Sequence, residues 1–314
     1  MEPKSNAAKF AFFYMLSLVA LIFMALSTGM IIFQIINKNI PDILNIYQGV
    51  FSSDQLKFAI SALIISAPIF YVCMRQIFVN LKSGDLEKDS GIRKWLTYFI
   101  LFVSSVVMIG WLIGTINTFL NGDLTVKFIL KALTAILISA AVFSFYFYDI
   151  KRAEVQGKNK IIQIYFYSSL IIILAAFVGS LFVVESPTQT RDRKYDYIIL
   201  DNFNNIDSAI ASYYQEYKKM PEGLNELKTQ YSYLGDNSTK DPNKIDFEYK
   251  LVDKSTYELC ATFKTSNKND NSPEYSYYKD RWAHEAGYQC LRQKVHNLDN
   301  AKIPAGATIA VPVK

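Results

Sequence analysis

Ionisable side chains inside apolar stretches are where chemistry would be expected first in this sequence. Arg75 and Lys131 are the two candidates, and each lies near one end of a long apolar run. A charge deep in a membrane span indicates an ion or proton path, whereas a long cation near a span end extends to the interface. The positions of Arg75 and Lys131 therefore favour interface anchoring over transport.

The two histidines, His284 and His296, are the other candidates for chemistry. His284 lies six residues before Cys290, which raises the question of a metal site. Zinc sites need three or four ligands at tight spacing, and a disulfide-bonded cysteine binds no metal. No Ser-His-Asp order, H-E-x-x-H, P-loop or G-x-G-x-x-G occurs in the sequence. We therefore expect no enzyme activity, no metal and no other cofactor.

Five apolar runs make up the first part of the chain and contain or adjoin Arg75 and Lys131. A helix crosses a bilayer with about 20 residues, and each run is about that long. Only 19% of the 314 residues are charged, below the roughly 25% that is typical. The predicted fold is a multi-pass α-helical membrane bundle of five spans followed by a small α+β extracytoplasmic domain. The spans lie at about residues 10–36, 58–79, 95–119, 128–148 and 161–184.

The third and fourth runs predict a helical hairpin. Asn121-Gly122-Asp123 forms the turn, and a basic pair stands at each outer end. Cationic and aromatic residues at span ends are expected to anchor the helices at the membrane interface. The predicted anchors are Arg75, Arg93, Lys94, Trp95, Lys131, Lys151 and Arg152.

A G-x-x-x-G motif in the third run predicts a close helix contact. Gly110 and Gly114 form it, and small residues at this spacing let two helices approach closely. Packing within the bundle is favoured, and a dimer face is the alternative.

The distribution of cations predicts the orientation. Eleven cations lie on the side of the N-terminus, and four lie in the short loops of the other side, or seven with the three that follow the last span. The positive-inside rule then places the N-terminus in the cytoplasm and the C-terminal domain outside the cell (inner) membrane. That compartment permits disulfides, which favours a Cys260–Cys290 bond over free thiols. Cys73 lies in an apolar run and is expected to be buried.

The C-terminal part predicts a helix followed by a sheet. Apolar side chains recur every three or four residues from Tyr195 to Tyr217, as on one face of a long helix. Alternating apolar residues on either side of Asp253-Lys254-Ser255 predict a β-hairpin, and 282–290 is a further candidate strand. The predicted boundaries are a transmembrane domain at 1–184, a linker at 185–194, the α+β domain at 195–293 and an irregular tail at 294–314.

The hairpin region resembles a known membrane family. The residues that carry the resemblance are Arg93-Lys94-Trp95-Leu96-Thr97-Tyr98, Phe119-Leu120-Asn121-Gly122-Asp123-Leu124-Thr125, Phe128-Ile129-Leu130-Lys131-Ala132-Leu133, 143–149 and Lys151-Arg152. Over about residues 9–152 the chain resembles the DUF5671 family. The resemblance implies a multi-helix membrane domain and supplies no catalytic residues.

Residues from about 190 to 292 carry a second resemblance. It rests on 207–217, Met220-Pro221-Glu222-Gly223-Leu224, Asp241-Pro242, Phe247-Glu248-Tyr249 and Tyr257-Glu258-Leu259-Cys260-Ala261. This part is similar to the globular heads of type IV pilin-like and pseudopilin proteins, which place a long helix before a small antiparallel sheet. A pilin begins with a single helix and a peptidase site. Here five spans precede the helix and no such site is visible, so a processed pilus subunit is not expected.

Two functional hypotheses follow. The leading one is a non-enzymatic anchor in the lipid bilayer that presents 195–293 to envelope or pilus-assembly proteins. Tyr213, Tyr214 and Tyr217 suit such contacts, although packing of the helix against the sheet explains them equally well. Because the cations flank apolar runs, no nucleic-acid partner is expected. The competing hypothesis is a small-solute or ion carrier that uses Pro68, Gly110, Gly114, Arg75 and Lys131.

Overall fold

The computed structural model describes residues 7–40, 49–84, 86, 89–152, 159–268, 278 and 281–295. The chain divides into two compact units, Met1–Val184 and Glu185–Lys314. Each unit has an apolar core of its own. The first is helical, and the second combines helices with a sheet.

The helical unit contains five long helices. Their best 18-residue windows have mean hydropathies between 1.9 and 2.4, so each helix is long and apolar enough to cross a membrane. This confirms the five predicted helices. They are α1 (Ala7–Asn39), α2 (Ser53–Ser83), α3 (Gly91–Leu120), α4 (Val126–Lys151) and α5 (Lys160–Leu181).

Polar caps make several helices longer than their apolar runs. The side chains of Ser52, Ser90 and Thr125 accept hydrogen bonds from backbone N–H groups in the first turns of α2, α3 and α4. Such bonds satisfy N–H groups that have no partner within the helix. At the other end of α2, Gly84 adopts φ 85°, a left-handed conformation that glycine takes without strain.

The core of the helical unit includes residues from both α1 and α2. Ile31, Leu56 and Ala59 are fully buried there. Tyr71 and Ser169 connect α2 to α5, with 3.0 Å between their hydroxyl oxygens. Large apolar side chains such as Phe102 remain exposed on the outside. An apolar outer surface is what a helix facing lipid presents.

The second unit contains two helices and a three-stranded antiparallel sheet in the order β1-β2-β3. This confirms the predicted order of a long helix followed by a β-hairpin. The third strand starts later than predicted, because its pairing with the preceding strand begins only at Gly287, opposite Phe263. The elements are α6 (Pro187–Tyr217), α7 (Leu224–Gln230), β1 (Glu248–Leu251), β2 (Thr256–Phe263) and β3 (Gly287–Lys294).

Most of the expected linker at 185–194 is the first two turns of α6. Ser186 caps the helix: its hydroxyl accepts a hydrogen bond from the backbone of Gln189, whose side chain bonds back to Ser186. Pro187 occupies the first helical turn, where its missing N–H costs nothing. The sequence Ser-Pro-Thr-Gln is therefore a capping box followed by helix.

Phe203 lies at the centre of the second core. Its ring centroid is 5.0 Å from that of Phe247, 5.4 Å from that of Trp282 and 6.1 Å from that of Phe263. Most of the predicted apolar face of the long helix is buried, with Ile199, Phe203, Ile206, Ile210 and Tyr213 all below 5% exposed, whereas Tyr217 at its end is 42% exposed. Most of the predicted tail, including His296, lies outside the described residues.

Candidate functional site

Cys260 and Cys290 form a disulfide. They face each other across the antiparallel pair of β2 and β3, which brings their side chains within bonding distance. The bond closes a loop with a sequence separation of 30 residues. Cys73 is the free cysteine, and it is buried as predicted.

Replacing Cys260 and Cys290 with serine should destabilise the second unit by roughly 2–4 kcal/mol, because the unfolded chain regains the freedom of a 30-residue loop. Unfolding of the purified full-length protein, followed by protease resistance of the second unit, measures this loss. The Cys73→Ser variant controls for removal of a cysteine. A double variant as resistant as the native protein would contradict the predicted contribution.

His284 is a packed core residue. Its side chain is 1% exposed, and its ring stacks on Phe263 with 3.9 Å between centroids. The backbone N–H of His284 donates to Asn267 at 2.8 Å. Within the described residues, no group of three or more histidine, cysteine or acidic side chains lies close enough to hold a metal ion.

Burial lowers the pKa of His284 below its usual 6.5, because an imidazolium there loses its hydration. The neutral ring thus contributes stability above pH 6.5 that is lost as the pH falls toward the lowered pKa. Between pH 7.5 and 5.5, we expect a larger drop in the thermal midpoint of the second unit for the native protein than for His284→Phe. Equal drops would show that His284 does not contribute.

Buried carboxylates of the second unit serve the fold. Asp196 accepts hydrogen bonds from the backbone N–H groups of Lys264 and Thr265, both at 2.7 Å. Asp207 is paired with Arg281 at 2.5 Å. Because their oxygens are engaged in these contacts, the acids are bound into the structure of the domain and do not form an open catalytic pair.

A buried cluster of charges joins the two outer ends of the α3–α4 hairpin. The Arg93 guanidinium donates to a carboxylate oxygen of Asp149 at 2.8 Å and to its backbone carbonyl at 2.9 Å. Arg152 approaches the other carboxylate oxygen at 3.0 Å. Arg93, Asp149 and Arg152 are 2%, 7% and 8% exposed, so one acid lies between two buried cations.

Little free space surrounds this cluster. Tyr14, Thr97, Tyr146 and Asp149 are among the residues that line a cavity of only about 10 Å³. Arg152 also lies over the ring of Phe78, 5.3 Å from its centroid. The cluster is therefore enclosed by α1, α2, α3 and α4. These contacts hold the ends of the helices together.

Two predicted anchors, Arg93 and Arg152, differ from the expected geometry. Their side chains turn into the protein because Asp149 attracts them, whereas an interface anchor extends outward. Lys94 and Trp95 are exposed, and Lys151 lies over the ring of Phe147 at 4.1 Å. Membrane anchoring by Arg75, Lys94, Trp95, Lys131 and Lys151 stays a prediction.

The two cations of the carrier hypothesis lie near opposite ends of the bundle. Arg75 is eight residues before the end of α2 at Ser83, and Lys131 is five residues after the start of α4 at Val126. A short connection after Ser83 leads into α3, so α3 begins at the end of the bundle where α2 finishes. Because α3 and α4 form a hairpin, α4 begins at the opposite end. Arg75 and Lys131 therefore do not share one site.

The G-x-x-x-G motif forms no close contact at its first glycine. A Cβ atom at Gly110 would meet no described atom within 4 Å, and one at Gly114 would lie 3.8 Å from Phe128. The expected contact within the bundle is thus absent at Gly110, because that side of α3 faces outward. The dimer face stays untested.

Tyrosines gather where α6 ends and α7 follows. Tyr213 and Tyr217 have ring centroids 4.6 Å apart, and those of Tyr231 and Tyr233 are 5.8 Å apart. Gln230, which precedes Tyr231 in the chain, donates to the Tyr217 hydroxyl at 2.8 Å. Tyr217 is 42% and Tyr233 57% exposed. We call Tyr217, Tyr231 and Tyr233 the tyrosine patch.

Comparison with known proteins finds one family match, which covers part of the helical region. Residues 11–146 match the family described as Domain of unknown function (DUF5671). The DUF5671 match extends from α1 to near the end of α4 and leaves α5 and the second unit outside. No curated protein and no solved structure matched the chain. The pilin-like character of the second unit has no support from these comparisons and stays a prediction.

The charge cluster crosses the edge of the DUF5671 match. Arg93 and Tyr146 lie within 11–146, and Asp149 and Arg152 follow it. The role of Asp149 is not among the predictions from the sequence, although the sequence contains a signal for it. Asp149 is the acidic residue of α4, and a closed hairpin brings it to the level of Arg93.

Proposed function

We propose that this protein is a five-span inner-membrane protein that anchors an extracytoplasmic protein-interaction domain. One observation carries the proposal: a bundle of five apolar helices is followed by a separately packed, disulfide-bonded α+β unit. The buried charges of the helical unit are engaged with one another, which supports a structural role for them.

Two features support the extracytoplasmic orientation. Eleven cations lie on the side assigned to the N-terminus, against seven on the other side, which favours a cytoplasmic N-terminus. The Cys260–Cys290 bond agrees with an oxidising compartment for the second unit. Both features lead to the same topology independently, since one depends on loop charge and the other on cysteine chemistry.

The tyrosine patch is the interaction surface that we propose. Exposed aromatic rings such as Tyr217 and Tyr233 bury a large apolar area on binding while their hydroxyls keep hydrogen bonds. Tyrosine is enriched at protein interfaces for this reason. The order of a long helix before an antiparallel sheet resembles a pseudopilin head, so pilus-assembly proteins are the first class of partner to test.

Site-specific crosslinking tests the patch. A photoreactive residue at position 233, in cells that express the full-length protein, should form a crosslinked product with another envelope protein that mass spectrometry identifies. The probe at position 233 is also placed in the Tyr217→Ala/Tyr231→Ala variant, where its crosslinked product should be lost. A second probe at the exposed sheet position 262 is used in the same variant. Tyr288→Ala is the matched control, because Tyr288 is 56% exposed on β3 and outside the patch.

Three outcomes would contradict the proposal. No product from position 233, a product that persists in Tyr217→Ala/Tyr231→Ala, or equal loss in Tyr288→Ala would each exclude binding through the patch. Loss of product together with loss of the protein would report misfolding, so each variant is first checked for protease resistance.

A further inference from the structure

A large cavity opens in the helical unit between α2, α4 and α5. Its volume is about 690 Å³, within the range of about 300–1,000 Å³ that accommodates a small organic ligand. Leu21 and Met24 of α1 form part of its wall. The cavity lies beside the charge cluster, because Met74, Phe78 and Tyr146 line both this cavity and the small one at the cluster.

The lining of the cavity changes character along its length. Apolar side chains such as Phe70, Val142 and Ile172 line one part, and Arg75, Lys82 and Gln163 line another. Lys82 lies at the C-terminal end of α2 and Gln163 in the first turn of α5. The polar end is therefore at the end of the bundle where α2 finishes and α5 begins.

The charge at the polar end has one sign. Among the described residues that line the cavity, Arg75 and Lys82 are the charged ones, and both are cations. They are seven residues apart, two turns of α2, which places both on one helix face about 10 Å apart along the axis. An anionic group is therefore the complement of this end, and a hydrocarbon chain is the complement of the other.

We propose that the cavity binds one anionic phospholipid from the surrounding bilayer. Its phosphate lies between Arg75 and Lys82, and an acyl chain extends along Phe70, Val142 and Ile172. A guanidinium binds two phosphate oxygens at once, and an ammonium adds a point charge. The acyl chain moves from the bilayer to a cavity wall that is equally apolar. The inference rests on the proposed membrane insertion, and it is independent of the proposed interaction domain.

The Tyr71–Ser169 contact gives this site a fixed wall. Both residues line the cavity, and their hydroxyls, 3.0 Å apart, connect the two helices that bear the polar end. Because α2 and α5 are joined there, the distance between Arg75 and Gln163 is constrained before a lipid arrives. A preorganised site loses less entropy on binding.

Lipid titration of the purified full-length protein tests the proposal. The delipidated protein in detergent is titrated with phosphatidylglycerol or phosphatidylcholine, and native mass spectrometry counts the bound lipid. We expect the native protein to bind phosphatidylglycerol at least tenfold more tightly, since two cations near a headgroup each favour an anionic lipid. Arg75→Gln/Lys82→Gln should bring the preference close to one.

Two further variants keep the test specific. Lys94→Gln/Lys151→Gln removes two exposed cations from the same end of the bundle but outside the cavity lining, and should leave the preference unchanged. Ala141→Trp places a large ring in the cavity wall and should lower binding of both lipids. Its effect supports the site even where Arg75→Gln/Lys82→Gln fails to fold.

Equal binding of the two lipids by the native protein would overturn the proposal. A full preference retained by a folded Arg75→Gln/Lys82→Gln variant, or undiminished lipid binding by Ala141→Trp, would overturn it as well. Loss of preference in Lys94→Gln/Lys151→Gln would also overturn it, because general surface charge would then explain the selectivity. Absence of the native protein from the membrane fraction would contradict membrane insertion. Recovery in that fraction without lipid preference would contradict the lipid site alone.

Discussion

Replacing Asp149 with asparagine is expected to lower the free energy of unfolding of the helical unit by roughly 3–5 kcal/mol. The carboxylate bonds Arg93 at 2.8 Å and Arg152 at 3.0 Å, and Arg93 is 2% exposed. Asparagine keeps the size of the side chain but removes the charge, so two buried guanidiniums then lack their counter-ion. Denaturant unfolding of the detergent-solubilised protein measures the change.

A double-mutant cycle measures the interaction energy between Arg93 and Asp149. Arg93→Gln combined with Asp149→Asn should cost less than the sum of the single variants, because the second change removes a charge that the first has left unpaired. Additive losses would contradict a direct coupling between Arg93 and Asp149.

Asp89→Asn is the matched control. Asp89 pairs with Lys94 at 2.6 Å near the same end of the hairpin, but its side chain is 76% exposed. Exposed ion pairs contribute about 0–1 kcal/mol, so this variant should unfold nearly like the native protein. A loss equal to that of Asp149→Asn would show that burial of the charge cluster has no special effect.

Phe203→Ala should destabilise the second unit by roughly 3–5 kcal/mol. The Phe203 side chain is fully buried and lies between the rings of Phe247 and Trp282. Alanine would leave a cavity at the centre of the contact between α6 and the sheet. Because the two units have separate cores, protease should digest the second unit of this variant at a lower temperature while the helical unit stays resistant.

Ile198→Ala supplies the control for Phe203. Ile198 is on the same helix but 47% exposed, and surface substitutions usually change stability by less than about 0.5 kcal/mol. A comparable loss in both variants would contradict the assignment of Phe203 to the centre of the core. Loss of the helical unit together with the second would contradict their separate packing.

Elements with strong periodicity could be predicted from the sequence. The five apolar runs, the buried face of α6 and the β1–β2 hairpin each repeat a simple spacing, and local sequence is enough to indicate them. The start of α6 differs from the prediction, because Ser186 and Pro187 taken alone are typical of a linker. In combination with Gln189 they form a cap, whose meaning depends on the residues that follow.

The candidate sites depend on contacts between distant residues. Arg93 and Asp149 are 56 residues apart, and a charge near the end of a run gives no indication whether it extends outward or pairs within the protein. The cavity is even harder to predict from the sequence, because Arg75 and Gln163 become neighbours only when α2 packs beside α5. The Cys260–Cys290 bond is predictable because both cysteines lie in the domain that the cation distribution assigns to a compartment permitting disulfides.

Thiol labelling across an intact inner membrane is the most direct test of the proposed topology. Ser232→Cys places a thiol on an exposed residue of the second unit, and Ser83→Cys places one at the exposed end of α2. The native cysteines offer no competing free surface thiol among the described residues, since Cys73 is buried and the other two are bonded. With a membrane-impermeant maleimide, we predict labelling of Ser232→Cys in intact cells and of Ser83→Cys only after permeabilisation. The reverse pattern, or labelling of both variants in intact cells, would contradict an anchor that holds the second unit outside the cytoplasm.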